Sequence, residues 1–260
     1  MSSWRYRGTA LDALGIVTLV ADSFKMPARR GGNIQVPYRH GRVFTQKYFD
    51  QRVLSLGLEI VEGSISDLET AIDAVKALLG GRDLGVLEET MEDSSVRTGM
   101  AELSNDLSVA RISPISVKMI LEFTMPDPFF YSDTQVSDTT VINVSPKTYT
   151  INNTGTVEKC NPSIVLAGPL NNPEITNTSN NISVKYNGII ALGHSVTIDL
   201  NPETDEYRAV TDLGVNVIGN ITHDGDAAYM VLNSGSNAIS VTDDTHSTGT
   251  VTIEFYPPYT

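Results

Sequence analysis

The stretch that decides the fold is ISVKMILEFTM, residues 115–125. Apolar side chains stand at every second position from Ile115 to Met125, and the positions between them are mostly polar or charged. A period of two is typical of a β-strand with one buried face and one largely solvated face. A strand of this length spans about 36 Å, which suits a long sandwich strand or an arm that reaches a neighbouring subunit. Pro126 and Pro128 end it, because proline cannot donate a hydrogen bond to a β-ladder.

Two further elements precede this strand in the sequence. Residues 53–61 are rich in Val, Leu and Ile, which predicts another strand. The next segment predicts an α-helix, because Ser66 is a suitable N-cap with Glu69 three residues later, and apolar residues recur on one face until Gly80 and Gly81 end the helix. We expect this helix to pack its apolar stripe against the sheet.

Beyond Tyr131 the sequence changes to short runs of Val, Ile and Thr that are broken by Asn, Gly, Asp and Pro. The candidate strands are residues 140–144, 163–167, 182–186, 195–200, 228–232, 238–241 and 250–256. Such spacing is typical of a β-sandwich or barrel, and 260 residues are many for a single core. We therefore predict a mainly β protein of two β domains: an N-terminal β domain with one helix packed on its sheet, residues 1–131, and a C-terminal β-sandwich, residues 132–260.

The formal net charge of −13 is distributed unevenly. Residues 1–131 contain 14 basic and 17 acidic side chains, hence −3, whereas residues 132–260 contain 4 basic and 14 acidic side chains, hence −10. An acidic C-terminal half repels nucleic acid phosphates and anionic lipid headgroups, so we expect no specific nucleic acid partner. The apolar runs are far shorter than the roughly 20 residues that cross a bilayer, so we expect no membrane insertion either.

A local basic segment lies between Lys25 and Arg52, where Asp50 is the only acid and aromatic residues are interspersed. Two interpretations of this segment stay open. It is either a solvated loop or a contact strip for an acidic neighbouring subunit, and the aromatic residues favour a contact that is buried on assembly. Under the second interpretation the predicted subunit interface contains Arg29, Arg30, Tyr38, Arg39, Arg42 and Phe44.

The sequence offers no support for a catalytic, cofactor or metal site. The histidines are far apart and none has a partner at metal-binding spacing; they are His40, His194, His223 and His246. Neither a nucleophile elbow nor a phosphate-binding or dinucleotide-binding glycine motif is present. Cys160 is the single cysteine and is interpreted as a small buried apolar residue. We therefore predict a protein that is not an enzyme and that holds no cofactor.

Short motifs follow one another along nearly the whole chain. They are GIV (15–17), PARR (27–30), VPYRHGR (36–42), PDPFF (126–130), NTG (153–155), PSI (162–164) and GTVTIEFYPPY (249–259). With the capped helix and the long strand, this order resembles that of the distal tail proteins of siphophages. The resemblance implies an N-terminal β domain that assembles into a hexameric ring continuing the tail tube, and a peripheral C-terminal domain that is a galectin-like jelly roll.

The resemblance also implies a function. A protein of this kind is a structural virion component at the phage tail tip, where it joins the tail tube protein to the tip, hub or baseplate proteins and leaves a channel for DNA after assembly in the host cytoplasm. An alternative of a different class is a carbohydrate-binding or adhesin module that contacts host cell-surface glycans. Because sugar rings stack on aromatic side chains, the candidates for that role are Tyr149, Tyr186, Tyr207, Tyr229, Tyr256 and Tyr259.

Overall fold

The computed structural model of the chain describes residues 3–19, 26–35, 37–38, 40–45, 47–104, 107–157, 160–201, 206–224, 230–245 and 248–260. The chain divides into two compact units, Met1–Tyr131 with Thr260 and Ser132–Tyr259. Strands predominate in both units, and the one α-helix among the described residues lies in the first. The prediction of a mainly β protein with two domains and one helix is therefore confirmed.

The N-terminal unit is built on one long antiparallel sheet. Its elements in chain order are β1 (Ser3–Tyr6), β2 (Thr9–Ala10), β3 (Ile16–Leu19), β4 (Arg29–Arg30), β5 (Ile34–Gln35), β6 (Arg42–Val43), β7 (Tyr48–Phe49), β8 (Arg52–Val61), α1 (Ile65–Leu79), β9 (Gly85–Thr90), β10 (Val96–Leu103), β11 (Ser108–Ser113) and β12 (Ser116–Met125), with β13 (Phe130–Ser132) at the sequence boundary between the units. The sheet order is β2-β1-β9-β10-β12-β8-β3, and β11 pairs with the β12 strand.

The predicted long strand is β12, and it is the partner of the other predicted strand, β8. The two pair along their whole lengths, from Ser116 opposite Val61 to Met125 opposite Arg52. Every second side chain of each strand is buried, as the period of two predicted. Helix α1 lies against β8 and buries one stripe of aliphatic side chains, so the predicted packing of the helix on the sheet is confirmed.

Helix α1 begins at Ile65, and its N-cap is Ser64. The Ser64 backbone is extended (φ −144°, ψ 164°), and its Oγ accepts a hydrogen bond of 3.2 Å from the backbone N–H of Asp67. Ser66 lies inside the first turn, so the predicted capping box of Ser66 with Glu69 was wrong. Both serines satisfy the compositional rule for an N-cap, and only the backbone conformation distinguishes them.

The C-terminal unit is a sandwich of two antiparallel sheets. Its strands are β14 (Val136–Val141), β15 (Lys147–Asn153), β16 (Ser163–Ala167), β17 (Leu170–Asn171), β18 (Glu174–Asn177), β19 (Ile182–Tyr186), β20 (Ile189–Ile190), β21 (Ser195–Asn201), β22 (Glu206–Thr211), β23 (Ile221–Asp224), β24 (Gly235–Thr242), β25 (Thr250–Phe255) and β26 (Pro258–Tyr259). The first sheet has the order β14-β25-β16-β21-β22 and the second β15-β24-β18-β19-β23. Inward side chains from both sheets form one buried core. The galectin-like topology stays a prediction.

Several predicted strands of this unit coincide with observed ones, and others differ. The predicted strands 163–167 and 182–186 are β16 and β19. The segment 228–232 is not a strand where it is described, and only Leu232 forms a bridge there. Strands such as β15 and β22 were missed because Asn, Thr and charged residues interrupt their apolar pattern, and pairing with apolar neighbours stabilises them in the fold.

Candidate subunit interface

The basic segment folds as an antiparallel β-hairpin, residues 26–50, here called the basic hairpin. The outer pair of strands is β4 with β7, and the inner pair, nearer the turn, is β5 with β6. The chain reverses around Tyr38, whose φ of 61° is in the left-handed region. The hairpin carries five basic side chains and one acid, Asp50, hence a net charge of +4.

Most of the basic hairpin is exposed. Among its described residues only Pro27 is buried, with Thr45 and Phe49 half-buried. Its exposed large apolar side chains are Met26, Ile34, Tyr38, Val43, Phe44 and Tyr48. An isolated two-stranded hairpin is marginally stable in water, and clustered exposed apolar side chains are typical of an interaction surface. The hairpin thus has the composition of an element that is completed by a partner.

The base of the basic hairpin is anchored to the N-terminal unit. The Phe49 ring packs edge-on against the buried Phe129, with ring centroids 5.4 Å apart and an interplanar angle of 83°. The Arg29 guanidinium lies 5.2 Å from the centroid of Phe49, and the Asp50 N–H donates to the Ala28 carbonyl at 2.7 Å. Aromatic and cation–π contacts of this kind stabilise by about 0.5–1.5 kcal/mol each. They fix the base and leave the tip exposed.

The structure brings five of the six predicted interface residues onto this one hairpin, and the sixth, Arg39, lies outside the described residues. Arg29 and Arg30 form β4 near the base, Arg42 belongs to β6, and Phe44 follows it. Among the described residues, no ion pair joins Arg29, Arg30 or Arg42 to a carboxylate. The role of these arginines in a subunit interface stays a hypothesis.

The C-terminal unit also exposes aliphatic side chains that the sequence did not predict to be exposed. They are Ile189, Leu192, Leu213, Val215 and Ile218. In the sequence these aliphatic residues are indistinguishable from core residues of a sandwich. The adjacent glycines were the available signal, because Leu192 and Leu213 each precede a glycine in a turn, where aliphatic side chains are uncommon.

One charged group with a shifted pKa in the N-terminal unit, Arg52, is part of its core. Burial lowers the pKa of the Arg52 guanidinium, and the nearby Glu89 carboxylate opposes that shift. Arg52 Nη1 donates to the Pro128 carbonyl at 3.5 Å, and the guanidinium lies 5.2 Å from the Phe130 ring centroid. These contacts compensate a buried charge and connect β8 to the segment before β13, which is a structural role.

The other residues that could carry chemistry, such as Cys160 and His194, also make contacts that fit a structural role. Cys160 is buried, with its Sγ 3.8 Å from the Tyr256 carbonyl oxygen. Within the described ranges, no group of three or more His, Cys, Asp or Glu side chains is placed to hold a metal ion. His194 instead pairs with Asp212, its Nδ1 3.0 Å from Asp212 Oδ2. In the same part of the chain, no helix is long and apolar enough to cross a bilayer.

The tyrosines proposed for sugar stacking do not share one environment. Tyr186 is buried, Tyr149 and Tyr259 are half-buried, Tyr207 and Tyr256 are exposed, and Tyr229 lies outside the described residues. The Tyr149 ring packs against the core of the sandwich, and this burial raises the pKa of its phenol. No geometry among the described tyrosines favours a sugar site.

Comparison with known proteins shows which solved structure this fold is similar to. No protein-family model matches the chain, and no curated protein matches its sequence. Among solved structures, the chain is similar to the Dit protein (gp 19.1) of phage SPP1, described as a paradigm of the hub adsorption apparatus in phages that infect Gram-positive bacteria. The TM-score is 0.71 at 18% identity, covering 100% of both chains.

Two structures of the phage P2 baseplate in its activated conformation, with Ca and with Sr, also match over 98% of each chain. Their TM-score is 0.44 at 9% and 8% identity, and we base no argument on them. The similarity to SPP1 Dit confirms the resemblance to distal tail proteins at the level of the fold. Over its whole length, the chain has the fold of the phage hub protein Dit.

Proposed function

We propose that this protein is a structural, non-enzymatic component of a phage virion, located at the distal tip of a long tail. The observation that carries the proposal is the similarity to SPP1 Dit, which extends over 100% of both chains and therefore includes both units. In this role, copies of the chain assemble in the host cytoplasm into a closed ring of six. The ring joins the tail tube protein to the tip, hub or baseplate proteins and leaves a channel for DNA.

The basic hairpin supports self-assembly. A closed ring requires a heterologous interface, in which one surface of each copy binds a different surface of the next. The hairpin has a net charge of +4. Because the whole chain has a net charge of −13, the residues outside the hairpin together carry −17. A basic, apolar element anchored at its base is thus attracted to every neighbouring copy, and burial of its aromatic side chains adds the short-range stabilisation.

The work of such a protein is assembly and not chemistry. Arg52, whose pKa is lowered by burial, and the nearby Glu89 are buried in the N-terminal unit and serve its folding. Binding free energy then comes from burial of exposed apolar side chains and from desolvated charge pairs at each subunit contact. Because exposed rim pairs contribute only about 0–1 kcal/mol and are screened by salt, the buried part of the contact decides the stability of the ring.

The mass of the full chain in solution tests this proposal. Native mass spectrometry and light scattering over a concentration series should show a closed species of six 28.2 kDa chains. Moderate salt should weaken assembly less than it weakens a purely electrostatic contact, because apolar burial contributes to it. A chain that stays monomeric into the tens of micromolar refutes self-assembly.

A further inference from the structure

The turn of the basic hairpin contains a tyrosine in an unusual backbone conformation. Tyr38 follows Pro37 between β5 and β6, and its φ of 61° is in the left-handed region. In a type II turn, proline is common at the second position, and the third position has a positive φ and normally carries Gly or Asn. A bulky side chain seldom adopts this conformation, because its Cβ crowds the backbone. Tyr38 is therefore not the residue that the turn itself favours.

Packing within the chain does not compensate this conformation. The Tyr38 side chain is 110% exposed, so nothing in the part of the chain that is described covers it. Other non-glycine residues with a positive φ differ in this respect. Asn172 and Asn181 are of a type that tolerates the left-handed region, and the Arg7 guanidinium donates to the Asp83 carbonyl. Strain that the fold does not explain is often kept because a residue has a function.

The strands below the turn form a stable support for Tyr38. Ile34 of β5 and Val43 of β6 are directly opposite each other, so their side chains lie on the same face of the hairpin. These two side chains are 58% and 40% exposed. Between the inner and outer pairs of strands, Thr45 Oγ1 donates to the Gly32 carbonyl at 2.5 Å. A preorganised element of this kind loses little conformational entropy when it binds a partner.

The N-terminal unit of a neighbouring copy has the chemistry that the hairpin tip requires. Residues 1–131 without the hairpin contain 9 basic and 16 acidic side chains, hence −7, whereas the hairpin carries +4. The same unit exposes aliphatic side chains outside the hairpin, among them Ile112 at 60% and Ile120 at 58%. Opposite charge attracts the hairpin, and apolar contact then buries its aromatic tip.

We infer that Tyr38 is the anchor of the contact between copies, and that its ring is buried against the N-terminal unit of the next copy. This inference rests on the proposed self-assembly and names the residue that dominates its binding free energy. Tyrosine is enriched among the few residues that dominate protein interfaces. The inference also explains the unusual turn, because burial of the ring on assembly offsets the unfavourable backbone conformation in the free chain.

Tyr38→Asn in the full chain separates the turn from the contact, because Asn tolerates a positive φ and lacks the ring. In monomeric samples, backbone amides of residues 26–50 should exchange hydrogen about 5-fold more slowly than in the parent, because the turn is relieved of strain. The same variant should need about a 30-fold higher concentration to assemble, measured by native mass spectrometry.

Two controls accompany this variant. Tyr38→Phe keeps the ring and should assemble at a concentration close to that of the parent. Tyr207→Asn removes a tyrosine of the C-terminal unit that is 49% exposed, and it should assemble as the parent does.

A tryptophan at position 38 reports burial directly. Trp4 is the single tryptophan of the chain and is buried, so acrylamide quenches its fluorescence weakly. In Tyr38→Trp the new indole should be quenched readily in the monomer and protected in the assembled protein. The photo-cross-linker p-benzoylphenylalanine at position 38 should join two chains and attach within residues 1–131 of the second.

The outcomes separate this inference from the proposed function. If Tyr38→Asn assembles at the parent's concentration, or if the indole stays open to quencher in the assembled protein, the anchor is overturned and self-assembly stands. Faster exchange in the hairpin of Tyr38→Asn would mean that Tyr38 stabilises its own turn, which also overturns the inference. Cross-links to residues 132–260 overturn the assignment of the receiving unit. A parent chain that never associates refutes the proposed self-assembly, and the anchor with it.

Discussion

Replacing Phe44 by Ala isolates the apolar part of the proposed subunit contact. Full burial of a Phe side chain contributes about 1.5–3 kcal/mol. Phe44 is 76% exposed in the single chain, so its burial in an interface contributes about three-quarters of that amount, about 1.1–2.3 kcal/mol. At about 1.4 kcal/mol per factor of ten, Phe44→Ala should weaken each contact by about 7-fold to 50-fold. Each copy of a closed ring makes two contacts, so the apparent assembly concentration should rise further.

Sedimentation velocity over a concentration series measures this change, and a thermal melt of the same samples measures folding. The melt of Phe44→Ala should equal that of the parent, because Phe44 makes no core contact. Two control variants are measured by the same two methods. Tyr256→Ala removes a 46% exposed aromatic residue outside the hairpin and should leave assembly unchanged, although loss of its buried half should lower the melting temperature slightly. Phe129→Ala removes the buried partner of Phe49 and should lower the free energy of unfolding by about 3–5 kcal/mol.

Two results would refute the reasoning. If Phe44→Ala assembles at the parent's concentration, the side chain stays in solvent in the assembly and this part of the hairpin does not belong to the contact. If it lowers the melting temperature as Phe129→Ala does, Phe44 packs within its own chain, contrary to its exposure.

The remaining predictions concern charge, capping and domain independence. Replacing Arg39 and Arg42 together by Glu should prevent assembly with an unchanged melt, because removing one partner of a desolvated pair costs about 2–5 kcal/mol; normal assembly at physiological salt would contradict it. Ser64→Ala should lower the free energy of unfolding in urea by about 1 kcal/mol, whereas Ser66→Ala should not, and equal losses would disprove the assignment of the cap. A fragment of residues 1–131 should melt cooperatively in calorimetry, and a soluble fragment without a cooperative transition would mean that the N-terminal unit does not fold alone.

The candidate interface could be predicted from the sequence in its location but not in its form. Five basic residues with one acid between positions 26 and 50 are visible in the sequence as a local excess of charge. The pairing of β4 with β7 and of β5 with β6 is not visible in the sequence, because these strands are two residues long and carry no alternating pattern. Only the pairing makes the segment an exposed hairpin with Tyr38 at its tip and Phe44 next to its inner pair of strands.

The sequence by itself determined the features that depend on neighbouring residues. The alternation over residues 115–125, the apolar stripe of the helix and the change of texture after Tyr131 each report which side of a local element is buried. The tertiary structure alone decided what depends on distant residues: the pairing of β8 with β12, the choice of Ser64 as the cap, and the approach of the loops around Leu192 and Leu213. The physical reason is that hydrophobic pattern reflects burial along one element, whereas register, capping geometry and loop contacts are set by hydrogen bonds and packing between elements far apart in the chain.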